Sequence, residues 1–86
     1  MSLAVRLSRE AEDDLVALSR ADRNLYQRIL RKIESLADNS MAGKPLVGNH
    51  KGEFSLRVGE YRIIYEIHAA RTTVFILTAK HRRHVY

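Results

Sequence analysis

The chain of 86 residues contains no cysteine, which excludes disulfide bonds and any metal site built from thiolates. It also lacks an apolar run near the roughly 20 residues that a membrane-spanning helix requires. Its N-terminal residues lack the apolar core of a secretory signal peptide. These absences favour a cytoplasmic protein that has no membrane partner.

Proline and glycine are scarce, and they are concentrated in one region of the chain. The only proline and three of the four glycines lie between residues 38 and 52. The same segment carries Lys44, His50 and Lys51. Because a loop of this length in a small domain is usually functional, we expect the segment to contribute to function.

Acidic residues are scarce in the second half of the chain. The net charge is +5, from 15 Lys and Arg against 10 Asp and Glu. Residues 1–43 hold seven acids and seven bases, whereas residues 44–86 hold three acids, eight bases and all four histidines. This distribution predicts a polyanionic partner, above all a nucleic acid. A basic surface that serves only solubility is the alternative.

The remaining composition predicts a single domain over residues 1–86, because 45% of the residues are hydrophobic and the length suits one core. The alternation in Leu3–Leu7 predicts a first strand. Ser8 and Asp22 stand where helix N-caps are expected, each before a stretch with apolar residues at helical spacing. Two helices joined by so few residues are expected to form an antiparallel pair.

The residues after the loop predict a β-hairpin, because Gly59-Glu60 suits a two-residue turn between two alternating runs. Pairing about this turn places Arg57 opposite Arg62 on the polar face of the hairpin. Opposed like charges cost up to roughly 1 kcal/mol, which a sequence can tolerate where the pair binds an anion such as phosphate. Alternatively, both arginines extend into water or reach Glu53 and Glu66.

A last strand is predicted from Thr72 to about Lys80, and its two apolar faces are typical of a central strand. The element order is then β-α-α-β-β-β. We expect an α+β fold with a mainly antiparallel four-stranded sheet and two helices packed on one face. The opposite face, or its rim, is left for function.

Four segments follow one another along the chain: GKPL (43–46), KGEF (51–54), LRVGEYRIIY (56–65) and HRRHVY (81–86). Together they resemble the RelE branch of the RelE/ParE superfamily of bacterial and archaeal toxins. Each segment alone is weakly specific, whereas the ordered set in a chain of this length and charge is strongly specific. The resemblance covers essentially the whole chain.

The resemblance implies a function. RelE-branch proteins are toxins of type II toxin–antitoxin modules that cut messenger RNA, mostly in the ribosomal A site, with no metal or other cofactor. A neighbouring gene encodes the antitoxin, so we expect a monomer that forms a hetero-oligomer with it. Cleavage by the RNA 2′-hydroxyl needs a base, cationic donors for the phosphorane charge and an acid for the 5′-oxygen.

The resemblance also implies the site residues. Arg62 matches the phosphate-binding arginine of the family, Arg57 matches a second basic position, and Tyr86 matches the C-terminal tyrosine. His81 matches the preceding basic group and is a candidate acid or base, because histidine titrates near neutrality. The predicted catalytic residues are thus Arg57, Arg62, His81 and Tyr86. The predicted RNA-binding residues are Lys44, Lys51, Lys80, Arg82 and Arg83.

The sequence departs from the family at the general base. Some members carry two lysines on the strand before the hairpin turn, where this chain has Glu53 and Ser55. Others use a glutamate in the Lys-Pro loop, which this loop lacks. The remaining candidates are His81 and Tyr86, with Glu53 as a third.

Two alternative functions follow from the same residues. A ParE-like toxin of this fold would bind a protein target such as DNA gyrase and would not cut RNA. ParE-like chains generally lack the basic and aromatic C-terminal set that residues 80–86 supply. A catalytically degraded homologue is the other alternative, since Glu53 and Ser55 replace the two lysines.

Overall fold

A computed structural model describes residues 2–84 of the chain. The helices are α1 (Arg9–Ala21) and α2 (Arg23–Ser35). The strands are β1 (Ala4–Leu7), β2 (Lys44–Pro45), β3 (Glu53–Val58), β4 (Tyr61–His68) and β5 (Thr73–His81). Single 3₁₀ turns cover Gly48–His50, Ala69–Arg71 and Arg82–His84.

The strands form one mixed sheet in the order β1-β5-β4-β3-β2, in which β1 is parallel to β5 and the other neighbours are antiparallel. The α+β class and the mainly antiparallel sheet are confirmed. The predicted strand number is wrong by one, because β2 adds a fifth strand inside the long loop. Its two residues pair Lys44 with Ser55 and Pro45 with Phe54, and so short a strand has no alternation to read in the sequence.

Both predicted helix caps are confirmed. The Ser8 hydroxyl accepts a hydrogen bond from the Ala11 amide at 2.9 Å and donates to the Leu77 carbonyl at 2.7 Å. It therefore fixes the start of α1 and holds that helix against β5. The Asp22 carboxylate accepts from the Leu25 amide at 3.1 Å, which begins α2 directly after α1 ends.

One face of the sheet is covered by the two helices, and the hydrophobic core lies between these layers. Each fully buried aliphatic side chain contributes about 1.5–3 kcal/mol to folding. Core residues come from both helices, from the residue that follows α2, and from β3, β4 and β5: Ala11, Leu15, Leu18, Ile29, Ile33, Leu36, Val58, Ile63, Tyr65, Val74, Ile76 and Ala79. The other sheet face, here called the outer face, is left for the site.

The hairpin turns where the sequence predicts it. Gly59 adopts a φ of 59°, in the left-handed region that favours glycine, and Val58 pairs with Tyr61 across the turn. Arg57 pairs with Arg62, and both lie on the outer face because Val58 and Ile63 point into the core. The predicted arginine pair is therefore confirmed.

The long loop is held to the sheet by one buried tyrosine. The Tyr65 hydroxyl donates to the Ser40 carbonyl and accepts from the Gly43 amide, both at 2.8 Å. Burial raises the pKa of Tyr65, so its hydroxyl stays neutral and able to donate. A β-carbon at Gly43 would lie 2.6 Å from the Tyr65 hydroxyl oxygen, so only glycine fits there. These contacts hold residues 40–43 on the core side of the sheet, directly before β2 joins its edge.

Candidate active site

The outer face carries a cleft of about 640 Å³. Its floor is formed by Ser55 of β3 and its cross-strand neighbour Ile64 of β4. Ile64 is only 1% exposed although it lies outside the core cluster, which shows how closely the floor is covered. The walls come from the long loop on one side and the C-terminal 3₁₀ turn on the other. The lining residues are Leu46, Val47, His50, Ser55, Arg62, Ile64, Arg82 and Arg83.

Three arginines give the cleft its charge. Arg62 projects from the middle of the rigid strand β4, whereas Arg82 and Arg83 belong to the C-terminal turn. Within residues 2–84, Arg62 and Arg83 form no salt bridge, so their guanidinium groups are available to an anion. Guanidinium forks match phosphate oxygens in geometry and charge.

The C-terminal turn is docked onto the hairpin turn. The Arg82 amide donates to the Glu60 carbonyl at 2.8 Å, and the Arg82 guanidinium lies 2.8 Å from the Glu60 carboxylate. Both side chains are half exposed, so this ion pair alone adds little stability. Its effect is geometric, because it places Arg82 and Arg83 beside Arg62.

The loop wall of the cleft is apolar and open to solvent. Leu46 and Val47 line it, and Val47 is 83% exposed. Leu46 and Val47 therefore present apolar surface to a ligand in the cleft. The cleft thus offers cationic donors on one wall and apolar contact on the other, which suits a nucleotide.

His50 belongs to the cleft, and the sequence-based site prediction omitted it. Its Nδ1 lies 3.5 Å from a Glu53 carboxylate oxygen, with side-chain exposures of 40% for His50 and 19% for Glu53. The signal in the sequence was a titratable residue in the glycine-rich loop, three positions before an outer-face glutamate. The sequence does not give the path of the loop, so it could not place His50 in the same cleft as Arg62.

Arg57 lies opposite Arg62 on the outer face but does not line the cleft. Its guanidinium Nε donates to the Gly59 carbonyl at 3.1 Å, so it is drawn toward the hairpin turn. The two arginines are thus cross-strand neighbours, as predicted, but of the two only Arg62 lines the cleft.

His81 is not brought together with Arg62. It pairs with Tyr61 and contacts that ring edge-on at a centroid distance of 5.6 Å, so it lies on the helix-covered face. There it lines a smaller cleft of about 280 Å³ with Asp14 and His84 among its neighbours. Its Nδ1 accepts a hydrogen bond from the Arg83 amide at 3.2 Å.

A β-bulge explains the position of His81. The pairing of β4 with β5 shifts between Ile64, which faces Thr78, and Tyr65, which faces Ile76. The extra residue, Leu77, reverses the alternation for the rest of β5. Without the bulge, His81 would share the outer face with Arg62.

The predicted lysines differ in their surroundings. Lys44 is exposed at the sheet edge, and Lys51 is exposed in the turn before β3; neither lines the cleft. Lys80 is held 2.6 Å from the Asp14 carboxylate and 3.1 Å from that of Glu10. Its hydrogen bond to Asp14, above all, raises the pKa of Lys80. These carboxylates offset the charge of Lys80, so we leave it out of the proposed RNA contacts.

Within residues 2–84, no group of three His, Asp or Glu side chains is arranged to hold a metal ion. No helix in the same range is long and apolar enough to cross a membrane. Tyr86, predicted as a catalytic residue, lies outside the described residues.

Comparison with known proteins identifies the family. Residues 5–86 match the model of the ParE toxin of type II toxin–antitoxin systems. The chain belongs to this family. It is also 35% identical to toxin RelG of Mycobacterium tuberculosis, over the whole chain and 98% of that protein. This relative is consistent with the RelE branch of the superfamily to which the ParE toxin family belongs.

Solved structures agree with this assignment. The RelBE2 toxin–antitoxin complex of Mycobacterium tuberculosis matches with a TM-score of 0.83 and 32% identity, covering 95% of this chain and 93% of that one. The YoeB/ParE toxin of Agrobacterium tumefaciens matches with a TM-score of 0.82, 92% of this chain and 98% of that one. At 20% identity the second match shows the fold alone.

Proposed function

We propose that this toxin is a metal-independent endoribonuclease that cuts messenger RNA on the ribosome, with the RNA 2′-hydroxyl as nucleophile. The observation that carries the proposal is the convergence of Arg62, Arg82 and Arg83 in one cleft with an apolar opposite wall. RNA cleavage builds negative charge on a pentacoordinate phosphorane. Preorganised cationic donors aimed at that charge are commonly the largest contribution to catalysis.

Each element of the cleft has a part in this reaction. Arg62, held on a central strand, would contact the non-bridging oxygens of the scissile phosphate. Arg82 and Arg83 would hold that phosphate or its neighbour, and Val47 would pack against a nucleobase. A phosphate fixed in this way places the 2′-oxygen close to phosphorus, and such positioning lowers the entropic part of the barrier.

The second candidate is a toxin that binds DNA gyrase or another protein and cuts no RNA. The match to a family described as ParE favours it. The identity to RelG and the three arginines of the cleft favour the nuclease. Both candidates share the fold, so only an activity measurement separates them.

We also propose that an antitoxin is a binding partner of this toxin. The relatives with matching folds include toxin–antitoxin complexes such as RelBE2. The second half of this chain carries the whole positive excess, which suits an acidic segment of a partner chain. We expect the product of the neighbouring gene to bind the toxin and close the cleft.

Induction in cells separates the two candidates. We expect growth arrest, messenger RNA cut within coding regions, and protection when the neighbouring gene is co-expressed. The measurement is growth together with genome-wide mapping of RNA 5′ ends and of DNA breaks. DNA breaks accumulating without new RNA ends would support gyrase poisoning and overturn the nuclease.

Ionic strength gives an independent test. Each phosphate contacted by an arginine contributes about 0.7–0.9 to the slope of log affinity against log salt. With three arginines in the cleft, we expect a slope of about −2 or steeper for binding of a single-stranded RNA. A flat salt response would show that the cleft does not bind phosphates. The matched comparison is Arg62→Ala, which should make the slope shallower by the contribution of about one phosphate contact.

A further inference from the structure

A second polar unit at the cleft consists of His50, which lines it, and Glu53, which contacts His50 but is not a lining residue. The His50 Nδ1 and a Glu53 carboxylate oxygen are 3.5 Å apart, and the imidazole lines the cleft that also holds Arg62. Glu53 stands on β3 with its side chain 19% exposed. It therefore has a rigid support and limited contact with solvent.

We propose that His50 is the general base of this toxin and that Glu53 is its positioning residue. This inference rests on the proposed nuclease function and names the group that takes the proton. A carboxylate beside Nδ1 favours the tautomer with a proton on Nδ1 and a lone pair on Nε2. The same carboxylate stabilises the imidazolium that forms when Nε2 accepts a proton.

Nε2 of His50 takes the proton of the RNA 2′-hydroxyl, and the 2′-oxygen forms a bond to the adjacent phosphorus. The bond from phosphorus to the 5′-oxygen breaks, and that oxygen takes up one proton from solvent. The imidazolium then returns its proton to solvent. The products are a 2′,3′-cyclic phosphate and a 5′-hydroxyl, with no net gain or loss of protons.

Among the described residues, the other candidates for the base are less well placed. His81 lies on the helix-covered face, where Tyr61 contacts its ring. Ser55, on the cleft floor, is a poor proton acceptor at neutral pH. Glu53 does not line the cleft. Of the described residues that line the cleft, His50 alone carries an imidazole, whose neutral form can accept a proton.

The charged groups around His50 fix the expected response to pH. Glu53 on β3 favours the imidazolium, whereas Arg62 on β4 and Arg82 and Arg83 in the C-terminal turn oppose it. Lys51 follows His50 in the chain and also opposes it. Removing the Glu53 charge should therefore move the rising limb of the rate profile to lower pH.

The chain offers a matched control in a second histidine–glutamate pair. His68 Nε2 lies 2.8 Å from a Glu66 carboxylate oxygen on β4, and neither residue lines the cleft. His68→Gln thus removes the same chemical group from a closer pair elsewhere on the sheet. We expect it to keep the wild-type rate and pH profile.

The experiment is single-turnover cleavage on ribosomes programmed with a defined message, at saturating toxin, between pH 5.5 and 9. The wild-type rate should rise with pH through the range where histidine titrates. His50→Gln should be slower by about 10²-fold or more, the usual contribution of a general base, and should lose the rising limb. Glu53→Gln should be slower by about 10-fold and shift the limb to lower pH.

Thermal melting and RNA affinity of each variant exclude trivial causes of a lower rate. A folded His50→Gln that keeps both the rate and the limb would overturn the proposal while leaving the nuclease function intact. An unshifted limb in folded Glu53→Gln would remove Glu53 from its positioning role. A wild-type protein that cuts no message would instead overturn the proposed function itself.

Discussion

Arg62→Ala is expected to lower the single-turnover cleavage rate by about 10²-fold or more, the scale for removing one preorganised donor from a developing anion. Arg62 stands mid-strand on β4, lines the cleft and forms no salt bridge within residues 2–84. Its backbone is fixed by the strand, and no ion pair within residues 2–84 has to break before its guanidinium meets a phosphorane oxygen. The measurement is cleavage on programmed ribosomes at saturating toxin.

The stability of Arg62→Ala should remain close to that of the wild type. The side chain is exposed, and its removal relieves the repulsion with Arg57 across the hairpin. Arg28→Ala, an exposed arginine of α2 that does not line this cleft, is the control and should keep full activity. A folded Arg62→Ala with wild-type activity would show that the site is elsewhere.

Gly43→Ala is expected to destabilise the fold by about 1–3 kcal/mol, because the new methyl group overlaps the buried Tyr65 ring. The overlap should also displace the loop that carries Leu46 and His50. Misplacement by about 1 Å can cost up to roughly 10²-fold in rate, so cleavage should fall even where the variant remains folded. The measurements are chemical denaturation and single-turnover cleavage.

A double-mutant cycle tests whether Tyr65 is the cause. Tyr65→Phe alone should cost about 1–3 kcal/mol, because the Gly43 amide and the Ser40 carbonyl lose their buried partner. In Gly43→Ala/Tyr65→Phe the two costs should sum to more than the measured loss, since the 2.6 Å overlap involves the removed oxygen. Strict additivity would contradict the contact. Ala42→Ser, at the exposed neighbouring position, is the control and should change stability by less than about 0.5 kcal/mol.

Much of the fold was readable from local patterns. Ser8 and Asp22 mark the helix starts because each side chain caps an amide three residues later. Gly59 marks the hairpin, and once the turn is known the strict alternation of β3 and β4 puts Arg57 opposite Arg62. These features depend on residues close together in the chain, which is why the sequence alone suffices.

The parts that could not be read depend on contacts distant in the chain. The bulge at Leu77 moves His81 to the opposite face of the sheet, and the residue type at position 77 does not indicate a bulge. Tyr65 fits the pattern of a core residue, and its tether to Gly43 emerges only when the loop is in place. His50 lines the same cleft as Arg62 because the loop folds over the outer face, so the likeness to the family could supply Arg62 but not His50.

The account rests on the claim that the cleft cuts RNA through the 2′-hydroxyl. The most direct test is a pair of ribosome-bound messages, identical except for a single 2′-deoxy nucleotide at the cut site. We predict that the purified toxin cuts the ribose message to give a 5′-hydroxyl end and leaves the deoxy message intact. Cleavage of both messages at equal rates, or of neither, would contradict the claim.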